Sequence, residues 1–401
     1  MKANLPVIED LGDLDGANVL VRLDLNVPIT TTAAGERIVG DDFRIRASVP
    51  TLTWLQMQGA LVTACTHLGR PEGRPDPRFD LSPVRRVLDE MVPGIRLLEN
   101  LRFSPGETSN DPEFVKSLIE GQDCYVNDAF GVCHRAHASI VGPPQFLPSA
   151  VGRLVEREVE QLGELLDAPA RPFVVAIGGA KVSDKLGLLG SLAERADGIL
   201  VGGAMAFTFT AALGEPAGDS LVETDRIEEC AALLRKFDNI SLPIDAVAAG
   251  PGVVLAKAPP AAGGDVLGIE AEDPTEVRVV GRAVPAGWKG LDIGPATAEM
   301  FGEAIRQAAT VLWNGPMGVF EDPRFAAGTK VVAEAVAAST GHTVIGGGDS
   351  VAAVHRYGVA ESIDHISTGG GATLAFLEHG DLVGLAALRH APAADRGVGN
   401  W

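Results

Sequence analysis

The second half of the chain contains five short apolar segments, and each of them ends at a turn that contains glycine. The segments cover residues 173–177, 198–201, 311–313, 343–345 and 365–367. Short apolar segments bounded by turn residues are typical of buried β-strands, and helical patterns between them favour a parallel sheet. This alternation restricts the chain to the α/β class, because parallel strands need helical crossovers that cover the faces of the sheet.

The first half, up to about residue 148, shows the same alternation with other residues at the strand ends. Strands are predicted at 19–25, 60–66, 95–98 and 124–126, and helices at 44–58, 82–91 and 111–120. In a mostly parallel sheet, ligands bind beyond the carboxyl ends of the strands. The residues that directly follow each predicted strand are therefore the candidates for a functional site.

Residues 149–167 join the two halves and predict an amphipathic helix, because apolar side chains recur at three- and four-residue steps. Ser149 is placed to cap the first turn, and Pro169 and Pro172 end the helix. At 1.5 Å per residue it would be roughly 28 Å long. A chain of 401 residues is expected to form two domains. The helix therefore either packs inside one domain or connects two.

The formal net charge of −20 argues against nucleic acid as a partner, because a phosphate backbone would be repelled over most of the surface. The sequence has no run of about 18 apolar residues and no signal-peptide core, so we expect no membrane association and a cytoplasmic protein. The four cysteines show no CxxC spacing, which favours buried thiols over a zinc site. Scarce lysine and abundant carboxylates fit either a high-salt cytoplasm or an ordinary acidic enzyme.

Arginines follow the predicted strands of the first half at positions that should meet on one rim of the sheet. Arg70, Arg102 and Arg135 lie in separate loops, and Arg44 opens the first helix. A single arginine at such a position is more often part of a surface ion pair. Four together would repel one another unless an anion joined them, and guanidinium groups suit carboxylate and phosphate. The pattern predicts a site for a small, multiply charged anion.

Other polar residues lie close to these arginines in the sequence. Asp24 and Asn26 face one side of an extended segment and could bind a substrate hydroxyl. His134 and His137 lack the spacing of a helical metal site, so a structural or hydrogen-bonding pair is favoured over metal ligands.

The glycine turns of the second half predict a nucleotide site. Glycine lets backbone N–H groups approach phosphate oxygens, and a following helix adds about half a positive charge at its N-terminus. Asp349 could hold Mg²⁺, and Glu321 could bind both hydroxyls of a ribose. Lys181 and Lys185 follow one of the turns. The sequence lacks a P-loop, a dinucleotide fingerprint and the protein-kinase motif set. We interpret residues 250–282 as a β-rich surface excursion.

Ten ordered sequence blocks are specific enough to identify a family. They are VRLDLNVP from Val21, HLGRP from His67, LENLRF from Leu98, NDAFGVCHRAH from Asn127, GGAKVSDK from Gly178, MAFTF from Met205, LDIGP from Leu291, WNGPMGVFE from Trp313, GGGDS from Gly346 and STGGGA from Ser367. On these blocks the chain resembles the phosphoglycerate kinases from end to end.

The resemblance implies two doubly wound parallel-sheet (Rossmann-like) domains joined by a central hinge helix. The implied limits are 1–148 for a 3-phosphoglycerate-binding domain, 149–168 for the helix and 169–375 for a nucleotide-binding domain, with 376–401 packing back on the first domain. The implied activity is reversible, Mg²⁺-dependent phosphoryl transfer from 1,3-bisphosphoglycerate to ADP, which gives 3-phosphoglycerate and ATP. A monomer is the family expectation.

The resemblance also implies a role for each matched residue. The implied substrate-binding residues are Asp24, Leu25, Asn26, Arg44, His67, Leu68, Gly69, Arg70, Arg102 and Arg135. The implied nucleotide-binding residues are Lys185, Gly290, Asn314, Glu321, Gly347, Gly348, Asp349 and Ser350, with Asp349 as the magnesium ligand. The implied catalytic residues are Arg44, Lys181, Lys185, Gly347 and Gly370.

The chain departs from the family pattern at only a few positions. Ala204 replaces a glycine near the adenine, Ser350 replaces a threonine and keeps the hydroxyl, and Cys133 takes a position that is usually small and apolar. A nicotinamide-dependent dehydrogenase on a similar scaffold would need the missing dinucleotide fingerprint. A non-catalytic nucleotide sensor would keep the glycine turns but could lose the arginine rim.

Overall fold

The computed structural model describes residues 5–255 and 276–392. The chain divides into two compact units. Unit 1 comprises Met1–Gly163 and Gly380–Trp401, and unit 2 comprises Glu164–His379. No helix in the described ranges is long and apolar enough to cross a membrane.

Unit 1 is built on a parallel sheet. The strands of unit 1 are β1 Asn18–Leu23, β2 Ile29–Thr31, β3 Arg37–Val39, β4 Leu61–Cys65, β5 Arg96–Leu97, β6 Cys124–Asp128 and β7 Ser149–Val151. Its helices before the boundary are α1 Phe43–Met57, α2 Ser82–Met91, α3 Pro105–Ser109, α4 Pro112–Ile119 and α5 Ala138–Val141, and α6 Arg153–Asp167 contains the boundary between the units.

The order of the five parallel strands in unit 1 is β5-β4-β1-β6-β7. The chain enters at the centre with β1, builds one side with β4 and β5, and then returns to add β6 and β7. The direction of winding therefore reverses between β1 and β6, which is the point at which doubly wound sheets bind ligands. Strands β2 and β3 form a separate antiparallel pair.

The core of unit 1 lies between the sheet and its helices. Val19, Val21 and Leu23 of β1 pack in one buried cluster with Leu52 and Leu55 of α1. Complete burial of such a side chain stabilises the fold by about 1.5–3 kcal/mol. Because β1 is fixed on both sides by β4 and β6, the residues that follow these three strands are held in place by the core.

Unit 2 contains a larger parallel sheet and a small antiparallel one. Its strands are β8 Phe173–Ile177, β9 Gly198–Val201, β10 Ile240–Ser241, β11 Asp245–Ala249, β12 Val277–Gly281, β13 Lys289–Ile293, β14 Thr310–Asn314, β15 His342–Gly346 and β16 His365–Ile366. Its helices are α7 Leu186–Ala193, α8 Met205–Ala212, α9 Ile227–Lys236, α10 Pro295–Arg306, α11 Ala327–Ala337, α12 Gly348–Arg356 and α13 Gly371–His379. Helix α14 Val383–Arg389, the last one within the described residues, belongs to unit 1.

The larger sheet of unit 2 is also doubly wound. The strand order is β10-β9-β8-β14-β15-β16, with every pair parallel, so the winding reverses between β8 and β14. Trp313 near the end of β14 is completely buried in the core, and its indole N–H donates to the Gly315 carbonyl at 2.8 Å. The core thus fixes the turn that leaves the centre of this sheet. The predicted α/β class with two doubly wound parallel sheets is confirmed.

The start of the joining helix was predicted wrongly. Ser149 does not cap it, because Ser149–Val151 form strand β7, which pairs in parallel with β6 at the sheet edge. The helix begins at Arg153, and Asp128 Oδ1 accepts from the N–H groups of Leu154 at 2.9 Å and Val155 at 3.3 Å. The cap therefore comes from the end of strand β6, 26 residues before Leu154.

Several predicted elements match the structure closely. The limits of α2, β8 and β9 agree with the prediction at both ends. In the predicted β-rich excursion at 250–282, residues 256–275 lie outside the described residues, and β12 pairs antiparallel with β11. The last residues of the predicted returning segment, 393–401, also lie outside them. All four cysteines are free and buried, as predicted.

Candidate functional site

The first candidate site, which we call the basic cluster, lies beyond the carboxyl ends of β1, β4, β5 and β6 in unit 1. Its members are Asp24, Asn26, Arg44, His67, Arg70, Arg102 and Arg135. Arg44 Nη1 on helix α1 lies 2.5 Å from Asp24 Oδ2, an ion pair in which Asp24 is buried and Arg44 is partly exposed. Helix α1 thus brings Arg44 to the end of the central strand.

The loops after β1, β4 and β5 are held together by hydrogen bonds at the rim of the sheet. Asn26 Oδ1 accepts from the Gly69 N–H at 2.8 Å, and Arg102 Nη1 donates to the Gly69 carbonyl at 2.7 Å. Gly69 has φ +60°, and a Cβ at this position would collide with the Phe79 ring, so the loop requires glycine here. Leu25, which precedes Asn26, and Leu68, which precedes Gly69, are buried.

Asn100, which the sequence did not single out, connects two of these loops. Its Oδ1 accepts from the N–H groups of Leu68 at 3.3 Å and Arg102 at 3.1 Å. Its Nδ2 donates to the carbonyls of Leu68 at 2.8 Å and Phe79 at 2.9 Å. The side chain is buried, and all of its usual hydrogen-bonding positions are used. Asn100 therefore sets the distance between the His67 loop and Arg102.

The pKa values show that the cations of the basic cluster act on one another. Burial and then the charges of Arg22, Arg102, Arg44 and Arg135 lower the pKa of His67 well below its usual value. Burial, Arg135 and Arg22 lower the pKa of Arg102 to about 10. The buried Nε of Arg102 has no hydrogen-bond partner within the described residues. An anion at this rim would relieve the repulsion and supply the missing partner.

Behind the rim lies a buried polar group that the sequence analysis missed. Arg22, Glu107 and Ser139 are all buried, and Arg22 Nε donates to Ser139 Oγ at 2.8 Å. Arg22 could have been noticed in the sequence, because it is a charged residue within a predicted buried strand. Glu107 and Ser139 gave no such signal, because their role depends on contacts 32 residues apart.

His134 and His137 are in contact with charged neighbours. Arg135 Nε lies 3.1 Å from His134 Nε2, and His137 Nδ1 lies 3.8 Å from Glu107 Oε1. Burial lowers the pKa of both histidines, to about 4 for His137. The described residues contain no group of three or more His, Cys, Asp or Glu side chains that could hold a metal ion.

The second candidate site lies in unit 2 beyond the ends of β8, β14 and β15. At the switch point, Lys185 Nζ donates to Asn314 Oδ1 at 2.7 Å and to the Asn314 carbonyl at 3.1 Å, and it also donates to the Gly178 carbonyl. Burial lowers the pKa of Lys185 to about 8, although Asp349 and Asp184 act in the opposite direction. Lys185 therefore joins the turns that follow the two central strands.

The glycines of these turns fall into two groups. A Cβ at Gly178, Gly203 or Gly315 would collide with the backbone of a neighbouring turn. A Cβ at Gly348 or Gly370 would meet nothing within 4 Å. The glycines of the first group are therefore needed for close packing of the turns. The second group leaves backbone open for a ligand.

The open glycines lie at the N-termini of two helices of nine residues, α12 and α13. Gly347 caps α12 with φ +90°, and Gly348 and Asp349 in its first turn are exposed. Gly370, with φ +52°, directly precedes α13. The two helix N-termini offer N–H groups and partial positive charge to an anion.

Residues around α12 indicate how a nucleotide phosphate and its metal ion would be held. Asn314 Nδ2 is buried without a hydrogen-bond partner in the described part of the chain, and a Cβ at Gly347 would come within 3.0 Å of it. Asp349, two residues after Gly347, has an exposed carboxylate, which suits Mg²⁺ bound by one carboxylate together with phosphate oxygens. Ser350 is buried, and its hydroxyl accepts from the Gly315 N–H, so it supports the turn.

Gly290 and Glu321 lie in neighbouring parts of unit 2. The Val319 N–H donates to the Leu291 carbonyl at 2.9 Å, which ties the loop carrying Glu321 to strand β13 next to Gly290. A Cβ at Gly290 would enter the Phe207 ring, so glycine allows this aromatic side chain to lie against the strand.

Lys181 is exposed on the loop between β8 and α7. The two residues after it are held by Glu223, whose Oε2 accepts from the N–H groups of Val182 at 2.5 Å and Ser183 at 3.0 Å. Glu223 Oε1 accepts from Ser183 Oγ at 2.6 Å. These bonds lower the pKa of Glu223, the Ser183 hydroxyl contributing most.

Comparison with known proteins identifies relatives over nearly the whole chain. The family model "Phosphoglycerate kinase" matches residues 8–96 and 93–380. The phosphoglycerate kinase of Rubrobacter xylanophilus is 47% identical over 406 residues, which cover 95% of this chain and 97% of the relative. That of Frankia casuarinae is 48% identical over 415 residues and covers 95% and 99%.

Solved structures agree with these sequence comparisons. The structure of phosphoglycerate kinase from Coxiella burnetii matches with a TM-score of 0.81 and 33% identity, covering 96% of this chain and 98% of that one. The enzyme from Pyrococcus horikoshii matches with a TM-score of 0.79 and 31% identity, covering 96% and 99%. The resemblance found in the sequence blocks is confirmed, and the chain belongs to the phosphoglycerate kinase family.

Proposed function

We propose that the basic cluster of unit 1 binds the glycerate substrate and that the open glycine turns of unit 2 bind the nucleotide with Mg²⁺. As a member of its family the chain is an enzyme, a phosphotransferase of glycolysis with a carboxyl group as acceptor. The reaction moves a phosphoryl group reversibly between 1,3-bisphosphoglycerate and ADP, giving 3-phosphoglycerate and ATP.

The observation that carries the proposal for unit 1 is the convergence of cations in a chain of net charge −20. Arg44 pairs with Asp24 after β1, and Arg102 donates to the Gly69 carbonyl after β4, so both lie at one rim. Together with Arg135 they lower the pKa of the buried His67. A phosphate and a carboxylate together would neutralise them through charge-assisted hydrogen bonds. Asp24 and Asn26 supply an acceptor and an amide for a hydroxyl between these two groups.

For unit 2, the open glycines Gly348 and Gly370, together with Gly347 at the N-cap of α12, support binding of the nucleotide phosphates. We assign Asn314 Nδ2 and Lys185 as further donors to phosphate oxygens. Glu321 and Gly290 are proposed to face the ribose and base, and Ser350 holds the turn that carries Asn314.

In the direction of ATP consumption, the nucleophile is a carboxylate oxygen of 3-phosphoglycerate. A carboxylate is already ionised at neutral pH, so the chain needs no general base. It must instead align the two substrates and stabilise charge on the equatorial phosphoryl oxygens. We assign the stabilisation to Arg44, Lys181, Lys185 and the amides at Gly347 and Gly370. When bound at Asp349 with the nucleotide, Mg²⁺ would neutralise phosphate charge.

Because the two substrates bind to different units in this proposal, the transfer requires the bound groups to meet, and we assign the role of hinge to α6. The predicted domain limits 1–148, 149–168, 169–375 and 376–401 remain part of the proposal, with the joining helix itself beginning at Arg153. A cytoplasmic monomer is proposed from the sequence and the family. Tolerance of high salt is proposed from the carboxylate excess.

The first experiment measures ADP formation from ATP and Mg²⁺ with and without 3-phosphoglycerate, as KCl is raised from about 0.1 M to about 3 M. We expect turnover that depends on 3-phosphoglycerate, with an activity maximum at high salt if the protein is adapted to it. ADP binding without turnover at any salt would favour a nucleotide sensor. Binding of NAD⁺ without binding of ADP would favour a dehydrogenase.

The basic cluster is tested with Arg102→Ala, with Arg78→Ala as the matched control. Arg78 is exposed and forms a local ion pair with Asp76 in the same unit. We expect Arg102→Ala to raise the Kd for 3-phosphoglycerate at least tenfold, because it removes a charge-assisted contact, and Arg78→Ala to leave it unchanged. Equal behaviour of the two variants would place the glycerate site elsewhere.

The metal site is tested by binding rather than by activity. Asp349→Asn should weaken the binding of MgADP much more than the binding of ADP measured in the presence of a chelator, because only MgADP uses the carboxylate. Asp184→Asn changes another carboxylate near Lys185 and is the control. An identical loss for MgADP and ADP in Asp349→Asn would exclude this residue as the magnesium ligand.

A further inference from the structure

A buried chain of polar contacts extends away from the basic cluster into the interior of unit 1. Arg22 on β1 and Glu107 on α3 are each 0% exposed, and Ser139 on α5 lies between them. Arg22 Nε donates to Ser139 Oγ at 2.8 Å, and Ser139 Oγ donates to Glu107 Oε1 at 2.7 Å. The guanidinium and the carboxylate therefore share one hydroxyl, at a direct distance of 3.9 Å.

The Glu107 carboxylate is fixed by more than this hydroxyl. Its second oxygen, Oε2, accepts from the Ser139 N–H at 2.9 Å. Ser139 is itself anchored, because the buried Tyr125 hydroxyl donates to the Ser139 carbonyl at 2.7 Å. Rotation of the carboxylate would break two hydrogen bonds at a buried position, which is costly for a charged group. Glu107 is thus a fixed negative charge.

Arg22 transmits this constraint to the substrate side. Its Nη2 lies 3.3 Å from His67 Nδ1, and Nη1 donates to the Leu23 carbonyl. Because Arg22 is fully buried, a ligand at the solvent-facing rim contacts His67, Arg44 or Arg102 before it could reach Arg22. Arg22 and Glu107 therefore act on the site through other residues and through their charge.

The signs of the charges around the site give Glu107 a distinct role. Arg22, Arg44, Arg102 and Arg135 all act on His67. Asp24 pairs with Arg44 at the rim, and the Glu107 carboxylate lies behind Arg22. Glu107 also acts on Arg102 and His137 in the direction opposite to the arginines. A negative charge at this depth lowers the positive potential at the rim, and solvent screens it little.

We propose that Glu107 is a positioning residue that fixes Arg22 and His67 behind the glycerate site and offsets one positive charge. The anionic substrate is then held in the correct orientation but is released readily. The inference rests on the proposed binding of 3-phosphoglycerate at the basic cluster, and it concerns a residue outside that set. A residue that only supported the fold would weaken substrate binding when changed, whereas Glu107 should do the opposite.

The test is the Kd of 3-phosphoglycerate for Glu107→Gln, measured by titration calorimetry at about 0.1 M salt, with the Kd of ADP as an internal control. Glutamine keeps an oxygen for the Ser139 N–H, and its amide group can donate to Ser139 Oγ. Loss of the negative charge should lower the Kd for 3-phosphoglycerate about three- to tenfold, and ADP binding should not change. Ser139→Ala removes the shared hydroxyl but keeps the charge, so it should not tighten binding.

A second variant covers the case in which buried Arg22 without a counter-charge prevents folding. Arg22→Met combined with Glu107→Gln removes both charges and keeps similar volumes, a type of replacement that buried ion pairs often tolerate. The net charge near the site is then that of the unaltered chain, so the tightening expected for Glu107→Gln should disappear. The Kd for 3-phosphoglycerate should lie between that of the unaltered chain and about tenfold above it, because the contact of Arg22 with His67 is also lost.

The outcomes separate this inference from the proposed function. A folded Glu107→Gln variant that binds 3-phosphoglycerate no more tightly would overturn the charge-offsetting role. A Kd for the double variant below that of the unaltered chain, or more than about tenfold above it, would show that the two charges do not offset each other at the site and would also overturn it. Failure of the unaltered chain to bind 3-phosphoglycerate would instead overturn the proposed function, and this inference with it.

Discussion

Lys185 Nζ lies 2.7 Å from Asn314 Oδ1 in unit 2, and the Asn314 and Gly178 carbonyls accept its two other hydrogen bonds. An ammonium group has three donors, so the protein itself occupies all of them. Lys185 was predicted as a nucleotide-binding and catalytic residue. In this geometry it cross-links the turns at the switch point, and a phosphate oxygen must replace one of these acceptors before Lys185 can bind it.

The first prediction concerns the pH dependence of nucleotide binding. Burial lowers the pKa of Lys185 to about 8, so its positive charge is present below pH 8 and is lost as the pH rises through this value. If Lys185 binds phosphate as a cation, the Kd for ADP should rise about tenfold between pH 7 and pH 9. Titration calorimetry at half-unit steps measures this directly.

Lys185→Arg is the matched control for that experiment, because a guanidinium remains charged across the same range. The substitution is expected to weaken the binding of ADP at every pH, because the guanidinium group of arginine does not reproduce the three hydrogen bonds of Lys185. The rise in the Kd for ADP between pH 7 and pH 9 should nevertheless disappear. The same slope in both proteins would mean that another group titrates, and Lys185 would not be the cation that binds the phosphate.

The second prediction concerns Asn100, which lies between the loops of Leu68 and Arg102. In Asn100→Asp the carboxylate keeps the acceptor Oδ1, but the other oxygen cannot donate to the Leu68 and Phe79 carbonyls. We expect the KM for 3-phosphoglycerate to rise about tenfold and the free energy of unfolding to fall by about 2 kcal/mol. The KM for ATP should not change.

Asn239→Asp separates the two effects. Asn239 Nδ2 also donates to two main-chain carbonyls, those of Ala193 at 3.0 Å and Ala196 at 2.8 Å, but it lies in unit 2. This variant should lose similar stability without any change in the KM for 3-phosphoglycerate. If both variants raised that KM equally, general loss of stability rather than the position of the loops would explain the result.

The α/β class and much of the order of elements could be predicted because they depend on local patterns. The limits of α2, β8 and β9 follow from apolar periodicity and from the residues that end each run. The arginines at the strand ends were also visible, because parallel topology places consecutive strand ends on one rim. These inferences required only the period of the pattern and the direction of the strands.

The residues that were missed act across long stretches of sequence. Asn100 bonds to Leu68, Glu107 bonds to Ser139, and Asp128 caps α6, so each depends on loops that meet only after folding. The division of the glycines was hidden for a similar reason. Gly178 and Gly348 look alike in the sequence, but only the first is packed against another backbone. Side-chain chemistry identifies candidates, whereas tertiary contacts decide their roles.

The third prediction concerns the stability of unit 1 and follows from the cap of α6. Burial raises the pKa of Asp128 to about 6 from 3.8, despite hydrogen bonds from Thr51, Val155 and Leu154. Between about pH 4 and pH 6 the folded chain holds a proton that the unfolded chain has lost. Ionisation of Asp128 therefore reduces stability as the pH rises through this window, by roughly 3 kcal/mol at pH 7.

Asp128→Asn removes this titration and keeps the acceptor Oδ1. The new amide can also change the free energy of unfolding, but by an amount that does not depend on pH. The informative quantity is therefore how the difference in this free energy between the variant and the unaltered chain changes with pH. That difference should shift by about 3 kcal/mol in favour of the variant from pH 4 to pH 7, as measured by urea unfolding. Asp111→Asn changes an exposed helix cap in the same unit and is the control. A pH-independent difference for Asp128→Asn would refute the buried titration.

The fourth prediction concerns Glu223, whose carboxylate holds the residues that follow Lys181. Glu223→Ala removes three hydrogen bonds from Val182 and Ser183, so the loop no longer has one fixed position. If Lys181 stabilises the transferring phosphoryl group, the loss appears mainly in the transition state. We expect kcat to fall about tenfold, equivalent to 1.4 kcal/mol of activation free energy, with the KM values of both substrates changed less than threefold.

Two further variants distinguish position from charge at Glu223. Glu223→Gln keeps an acceptor for the two N–H groups, and the Ser183 hydroxyl can accept from the new amide. The loop should therefore stay in place, and kcat should remain within about threefold of that of the unaltered chain. Glu194→Ala removes an exposed carboxylate elsewhere in unit 2, which pairs with Lys236, and should leave kcat unchanged. A large loss of kcat in Glu223→Gln would show that the negative charge near Lys181 matters more than the hydrogen bonds. Unchanged kcat in Glu223→Ala would show that the Lys181 loop keeps its position without them.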